Sequence, residues 1–207
     1  MNTVKTDVPF KSNSQIPESQ PSQTTDSNKI GEQIDIKYIP TADGYICVFI
    51  KNNSDVVIDE LEIQALFKDD AGVTISTDSD GHDMVLPGYT VVSMKEAPEE
   101  YSDIVIEKNI ELGVNPTYEN HSAEVQLNAH DGSDGIIIEI TNNSSVSIEE
   151  IEYVVVYYLG DQLVSVGYPE DVYNIDPGRT ITEEVSPYNI NYDRYEVYLN
   201  QAHSFGF

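Results

Sequence analysis

Carboxylates are the first residues whose types and spacing suggest chemistry. The run Ser76-Thr77-Asp78-Ser79-Asp80-Gly81, followed by Asp83, sets three acids beside a glycine, the composition of a calcium loop. An EF-hand needs an oxygen ligand at its first position and a bidentate Glu at its twelfth. With Gly81 as the sixth residue those positions fall on Ser76 and Pro87, so the register fails. The same register on His130-Asp131-Gly132-Ser133-Asp134-Gly135 puts Gly132 at a ligand position and fails as well. Asp78, Asp80 and Asp83 are left as a loose surface cation candidate without a cage, and neither a metal nor any other cofactor is expected.

The four histidines, His82, His121, His130 and His203, show no close pair of the kind zinc ligands form, and they read as solvated loop residues. A nucleophile elbow, a phosphate-cradling glycine loop and the zinc-protease His-Glu motif are all missing from the sequence. Glycoside hydrolysis needs only two carboxylates at the right separation, and 37 acids offer many pairings, so a hydrolase stays as an alternative. Tyrosine is the enriched residue with binding potential. Ten of the fourteen lie from Tyr118 onward, among them Tyr157, Tyr158, Tyr192, Tyr195 and Tyr198. Their rings and polar tips suit binding surfaces, although tyrosine is also an ordinary strand residue.

What must position these groups is set by composition and period. The chain has 207 residues and a net charge of -27. Residues 1–31 are neutral, whereas residues 32–116 carry 18 acids against 5 bases and residues 117–207 carry 16 against 2. A phosphate backbone or an anionic lipid surface needs clustered Lys and Arg, so no nucleic-acid partner is expected. Mean hydropathy is -0.35 and no apolar run approaches the length of a transmembrane span. The single cysteine, Cys47, excludes an internal disulfide and, inside the apolar run 45–50, reads as a core residue.

Residues 1–30 are rich in Ser, Thr, Gln, Asn and Pro without apolar period, the composition of a disordered tether with a reach of roughly 30 Å. From Gln33 the period becomes two. Ile34, Ile36 and Tyr38 alternate with Asp35 and Lys37, Asp43-Gly44 turns the chain, and an apolar strand follows. Leu61, Ile63, Ala65 and Phe67 then alternate up to a turn at residues 69–72. The same succession returns in the second half. Residues 52–67 and 142–157 share seven identities in sixteen at an offset of 90, and Pro87-Gly88 meets Pro177-Gly178 at the same offset. Two copies of about ninety residues are too few and too long for a solenoid, so each copy is expected to fold its own core. The reading is all-β: two tandem immunoglobulin-like antiparallel β-sandwich modules, residues 32–116 and 117–207, behind a disordered tail, residues 1–31, with a linker at 113–121.

The succession of Asn52-Asn53-Ser54, an alternating acidic strand, Asp69-x-x-Gly72 and Pro87-Gly88 resembles the FxLYD-type immunoglobulin-like repeats of exported lipoproteins of Gram-positive bacteria. The resemblance covers both modules. At the signature itself stand Ala65, Phe67, Lys68 and Asp69 in the first copy and Val155, Tyr157, Tyr158 and Leu159 in the second. The resemblance implies an extracellular protein anchored to the bacterial surface, with a lipid anchor upstream of the tail.

One difference between the copies points to a surface. Leu61, Ile63, Ala65 and Phe67 share the core face with their counterparts Ile151, Tyr153, Val155 and Tyr157. On the opposite face the first copy carries Gln64, Leu66 and Lys68, whereas the second carries Val154, Val156 and Tyr158, and Tyr198 extends that stripe if the last strand joins the sheet. Such a stripe is either a partner surface or is covered by the first module or by the segment 168–176. The function expected on these grounds is non-catalytic binding of a protein or cell-envelope component, with a passive spacer as the alternative.

Overall fold

The computed structural model describes residues 27–113, 118–133, 135–167, 170–187 and 190–205. Of the disordered tail expected over residues 1–31, residues 1–26 lie outside the described residues and 27–31 instead form a helical turn; the middle of the expected linker, 114–117, also lies outside them.

The chain is all-β, built of several antiparallel sheets. In the first half one sheet has the order β1-β2-β5, from β1 (Ile34–Pro40), β2 (Tyr45–Asn52) and β5 (Thr90–Glu96). A second sheet, of order β4-β3-β6, comes from β3 (Ile58–Lys68), β4 (Thr74–Val85) and β6 (Asp103–Glu111). Alternation decides what lies between them. Ile46, Val48, Ile50 and Val91 meet Ile58, Leu61, Ile63, Ala65 and Phe67 in one buried core. A helical turn at Ser27–Gly31 caps this half, and Ile30 joins its core.

The second half repeats the plan. Its first sheet has the order β13-β9-β8, from β8 (Val125–Asp131), β9 (Ile136–Asn142) and β13 (Thr180–Val185). The opposing sheet runs β11-β10-β14-β7, from β7 (Tyr118–Asn120), β10 (Ile148–Leu159), β11 (Gln162–Val166) and β14 (Arg194–Phe205), and β12 (Glu170–Ile175) also pairs with β10. Between the sheets lie Ile136, Ile138, Ile140, Ile148, Ile151, Tyr153, Val155, Tyr157 and Leu199.

The repeated motif has a structural job. Asn52 and Asn142 are both fully buried. Asn52 Nδ2 donates to the carbonyls of Val56 and Val85, each at 2.9 Å, and its Oδ1 accepts the Ser54 N–H at 3.0 Å. Asn142 makes the same bonds to Val146, Ile175 and Ser144, at 2.8, 2.7 and 2.8 Å. Gly88 N–H and Gly178 N–H return to the carbonyls of Asn52 and Asn142, at 2.7 and 2.8 Å. Both glycines have positive φ, 80° and 71°, which only glycine adopts at little cost. The copies also share a left-handed residue ninety positions apart, Met84 (φ 50°) and Asn174 (φ 58°).

Three expectations need correction. The acidic segment 76–81 is not a loop but part of the twelve-residue strand β4. Residues 118–120 of the expected linker form β7, which pairs with the end of β14. Most of the segment 168–176 is strand β12, paired along β10 rather than laid over its face. Among the described residues, no helix is long and apolar enough to cross a membrane.

Candidate functional site

Strand β14 runs antiparallel to β10, pairing Val154 with Tyr198, Val156 with Glu196 and Tyr158 with Arg194. Residues opposite each other share a face, so Val154, Val156, Tyr158 and Tyr198 do form one stripe. The stripe is not a free surface. Val154 is 1% exposed, Val156 0% and Tyr158 9%. They pack with Leu163 and Val166 against Cys47, Phe49, Val92 and Met94, which point outward from β2 and β5 of the first half. The physical reason is complementarity: β2 and β10 are continuous apolar runs because each is buried on both faces. Cys47 is therefore core as expected, but in this third cluster between the halves, where burial pushes its thiol up to about 12.

Polar bonds tie the same interface. Asn200 Oδ1 accepts the Val92 N–H at 2.8 Å while its Nδ2 donates to the Val92 carbonyl at 3.0 Å and to Glu152 Oε1 at 2.6 Å. Ser165 Oγ donates to Asp43 Oδ2 at 2.8 Å, and Asn120 Nδ2 to the Met84 carbonyl at 2.6 Å.

Where the apolar contact ends, a cleft of about 820 Å³ opens between the halves. One wall is β14 and β10, with Arg194, Glu196, Tyr198 and Tyr158; the facing wall comes from Lys37, Ile39 and Pro40 of β1 and from Phe49, and β11 supplies Leu163. The charged wall is tightly organised. Glu196 accepts hydrogen bonds from the hydroxyls of Tyr198 (2.7 Å) and Tyr158 (3.2 Å) and pairs with Arg194, whose guanidinium lies 3.7 Å over the Tyr158 ring. Phe49 meets Tyr198 edge-on at 5.6 Å. Burial, followed by the Glu196 charge and its hydrogen bonds, holds both tyrosine hydroxyls well above the usual range, so they remain donors. Two of the four stripe residues, Tyr158 and Tyr198, thus line the cleft. Arg194, Glu196 and Lys37 were missed; the spacing of Arg194, Glu196 and Tyr198 at every second position was the available signal.

The acids and histidines fall elsewhere. Asp78 and Asp80 stand opposite Ala65 and Ile63 in the β3–β4 register and share their inward face, whereas Asp83 pairs with Glu60 and points the other way. The three are not brought together. Among the described residues no group of three or more His, Cys, Asp or Glu side chains could hold a metal ion. Reading all the histidines as solvated is corrected for three of the four: His82, His121 and His203 are buried, and only His130 is exposed. His82 Nε2 bonds Ser93 Oγ at 2.7 Å, and burial lowers the ring to about 4. His121 bridges Glu124 and Ser204, both at 2.8 Å. His203 stacks edge-on with Tyr118 and lies 3.6 Å from Glu150.

No family model matches the chain, and no curated protein matches it. Among solved structures, the crystal structure of the YadV chaperone aligns with 84% of this chain and 99% of its own length, at 13% identity and a TM-score of 0.28. That score is too low to assign a shared fold.

Proposed function

We propose that this chain is a non-catalytic, extracytoplasmic binding protein of two immunoglobulin-like sandwich modules, tethered to a bacterial surface through its N-terminal segment, and that a protein or cell-envelope component binds in the cleft between the halves. The observation that carries the reading is the wall of Arg194, Glu196, Tyr158 and Tyr198: aromatic faces and donors already locked to one another on paired strands. Such pre-organisation lowers the ordering cost of binding, and mixed aromatic and polar linings are what ligand clefts use. Charges neutralised in pairs suit recognition better than bond-breaking, which needs a group held ready to react. The FxLYD resemblance of the repeats supports the surface setting.

Site-specific photo-crosslinking tests this reading. A crosslinker replaces exposed Gln162 at the cleft rim, and a control replaces Val73, 59% exposed at the turn between β3 and β4. In the native cells the rim position should yield a discrete adduct that the control does not. Adducts from neither position, or the same adducts from both, would favour a passive spacer.

A further inference from the structure

Strands β4 and β5 belong to opposing sheets and are not paired in either. Their edges nevertheless meet: the Glu96 N–H donates to Asp78 Oδ2 at 2.8 Å. Into this seam β5 turns Ser93 and Lys95, which alternate with the outward Val92 and Met94, while β4 turns in Asp78, Asp80 and His82. Lys95 is the anomaly. Its side chain is 0% exposed, and its Nζ has no hydrogen-bond partner, its nearest acid being Asp80 Oδ2 at 3.8 Å. A buried ammonium held by one long contact is unfavourable, because a carboxylate 40% exposed and 3.8 Å away gives little in return for the hydration the ammonium has lost. Ninety residues on, the second half has Val185 at this position and needs no such arrangement.

We propose that Lys95 and Asp80 condense to an intramolecular amide that staples β5 to β4. Asp80 is oriented for it: Oδ1 accepts the Gly81 N–H at 2.9 Å, leaving Oδ2 toward Lys95 and, at 4.0 Å, His82 Nε2. The lone pair of the neutral amine attacks Cγ. The Nζ–Cγ bond forms and the Cγ–Oδ2 bond breaks. Counted from the ion pair, Nζ gives up two protons in all, and Oδ2 takes both and leaves as water. The Gly81 N–H faces the charge that gathers on Oδ1 during the attack. Burial favours the amine, since it lowers the Lys95 ammonium below its ordinary range. The Asp80 side chain is 40% exposed, so solvent can carry these protons, while Glu152 of β10, raised by burial to about 7, lies near enough for the two acids' charges to act on each other. No oxidant or cofactor enters. Two groups fixed side by side react with a high effective concentration, and the product replaces a fully buried ammonium and its part-exposed carboxylate by one neutral amide.

Intact-mass spectrometry of the folded full chain, aged at neutral pH and then denatured, reads the outcome directly. The chain should be lighter than its sequence by one water, and proteolysis should release a branched peptide joining the segments that contain Lys95 and Asp80. Lys95→Met should have its full mass. Asp80-Gly81 could also lose water by closing to a succinimide, but that loss would persist in Lys95→Met. Full mass in the unmodified chain, or a deficit that survives Lys95→Met, overturns the proposal, and the first of these outcomes needs no variant to fold.

Discussion

Asn200 treats Val92 as a strand neighbour although 108 residues separate them: one amide side chain satisfies both the N–H and the carbonyl of Val92, at 2.8 and 3.0 Å. A single residue of β14 thus does for β5 what a further strand would do. Asn200→Ala strands both groups and uncouples Glu152. An unsatisfied buried group costs about 1–3 kcal/mol, and each kcal/mol shifts the melting temperature of a chain this long by about 2–4 °C. A fall of several degrees is expected in a thermal melt; an unchanged melt would show that water reaches Val92.

Val154→Thr with Val156→Thr places two hydroxyls in the apolar contact with Cys47 and Val92. Each unpaired hydroxyl costs about 1–3 kcal/mol, so the double variant should lose several degrees of stability. If stability held and binding alone were lost, the stripe would be an open surface after all.

Glu152 sets a pH dependence with a definite sign. Its folded pKa, about 7, lies above the ordinary glutamate value of 4.5 because of burial, with Asp171, Asp80 and Glu150 adding to the rise and the Asn200 hydrogen bond opposing it. The folded state therefore holds the proton more tightly than the unfolded chain does. The resulting stabilisation is complete below about 4.5 and fades as pH rises through about 7. His82 works in the opposite direction: its ring is lowered to about 4, so its contribution is present above 6.5 and is lost as pH falls through 4. Melts from pH 4.5 to 8 should show Glu152→Gln losing less stability toward high pH than the parent. Parallel curves would remove Glu152 from the account.

Asn142→Ala should be among the costliest single changes in the second half. It leaves the carbonyls of Val146 and Ile175 and the N–H of Ser144 without the amide that serves all three. The Val146 carbonyl keeps the Ser144 hydroxyl at 2.8 Å, so at about 1–3 kcal/mol for each of the other two buried groups denaturant unfolding should shift markedly, and Asn52→Ala should do the same in the first half. An effect at one asparagine alone would break the equivalence of the copies.

Much of this architecture was legible because burial on one face imposes period two: Leu61, Ile63, Ala65 and Phe67 sit inward as their alternation indicates. The stripe at Val154, Val156 and Tyr158 could be named but not assigned, since a strand buried on both faces and a strand with an exposed apolar face read alike. β4 was hidden for a different reason. Its Asp and Gly residues are depleted in strands, and it forms by pairing along β3. With β4 unseen, the inward course of His82 and Asp80 was unseen too. Lys95 did leave a trace: it shares the parity of core residue Val91, and its counterpart ninety residues on is Val185.

The third apolar cluster also imposes an order in time. A ribosome releases the first half before the second, and domains generally fold as they emerge. The face of Cys47, Val92 and Met94 therefore exists before the strands that cover it, with more than forty residues of chain separating Glu111 from Val154. During that interval a sheet face meant for the interior is bare to whatever is nearby, including another nascent copy whose own β10 could dock there. Close spacing of ribosomes on one message would favour exchanged pairs, in which the second half of one molecule closes over the first half of its neighbour.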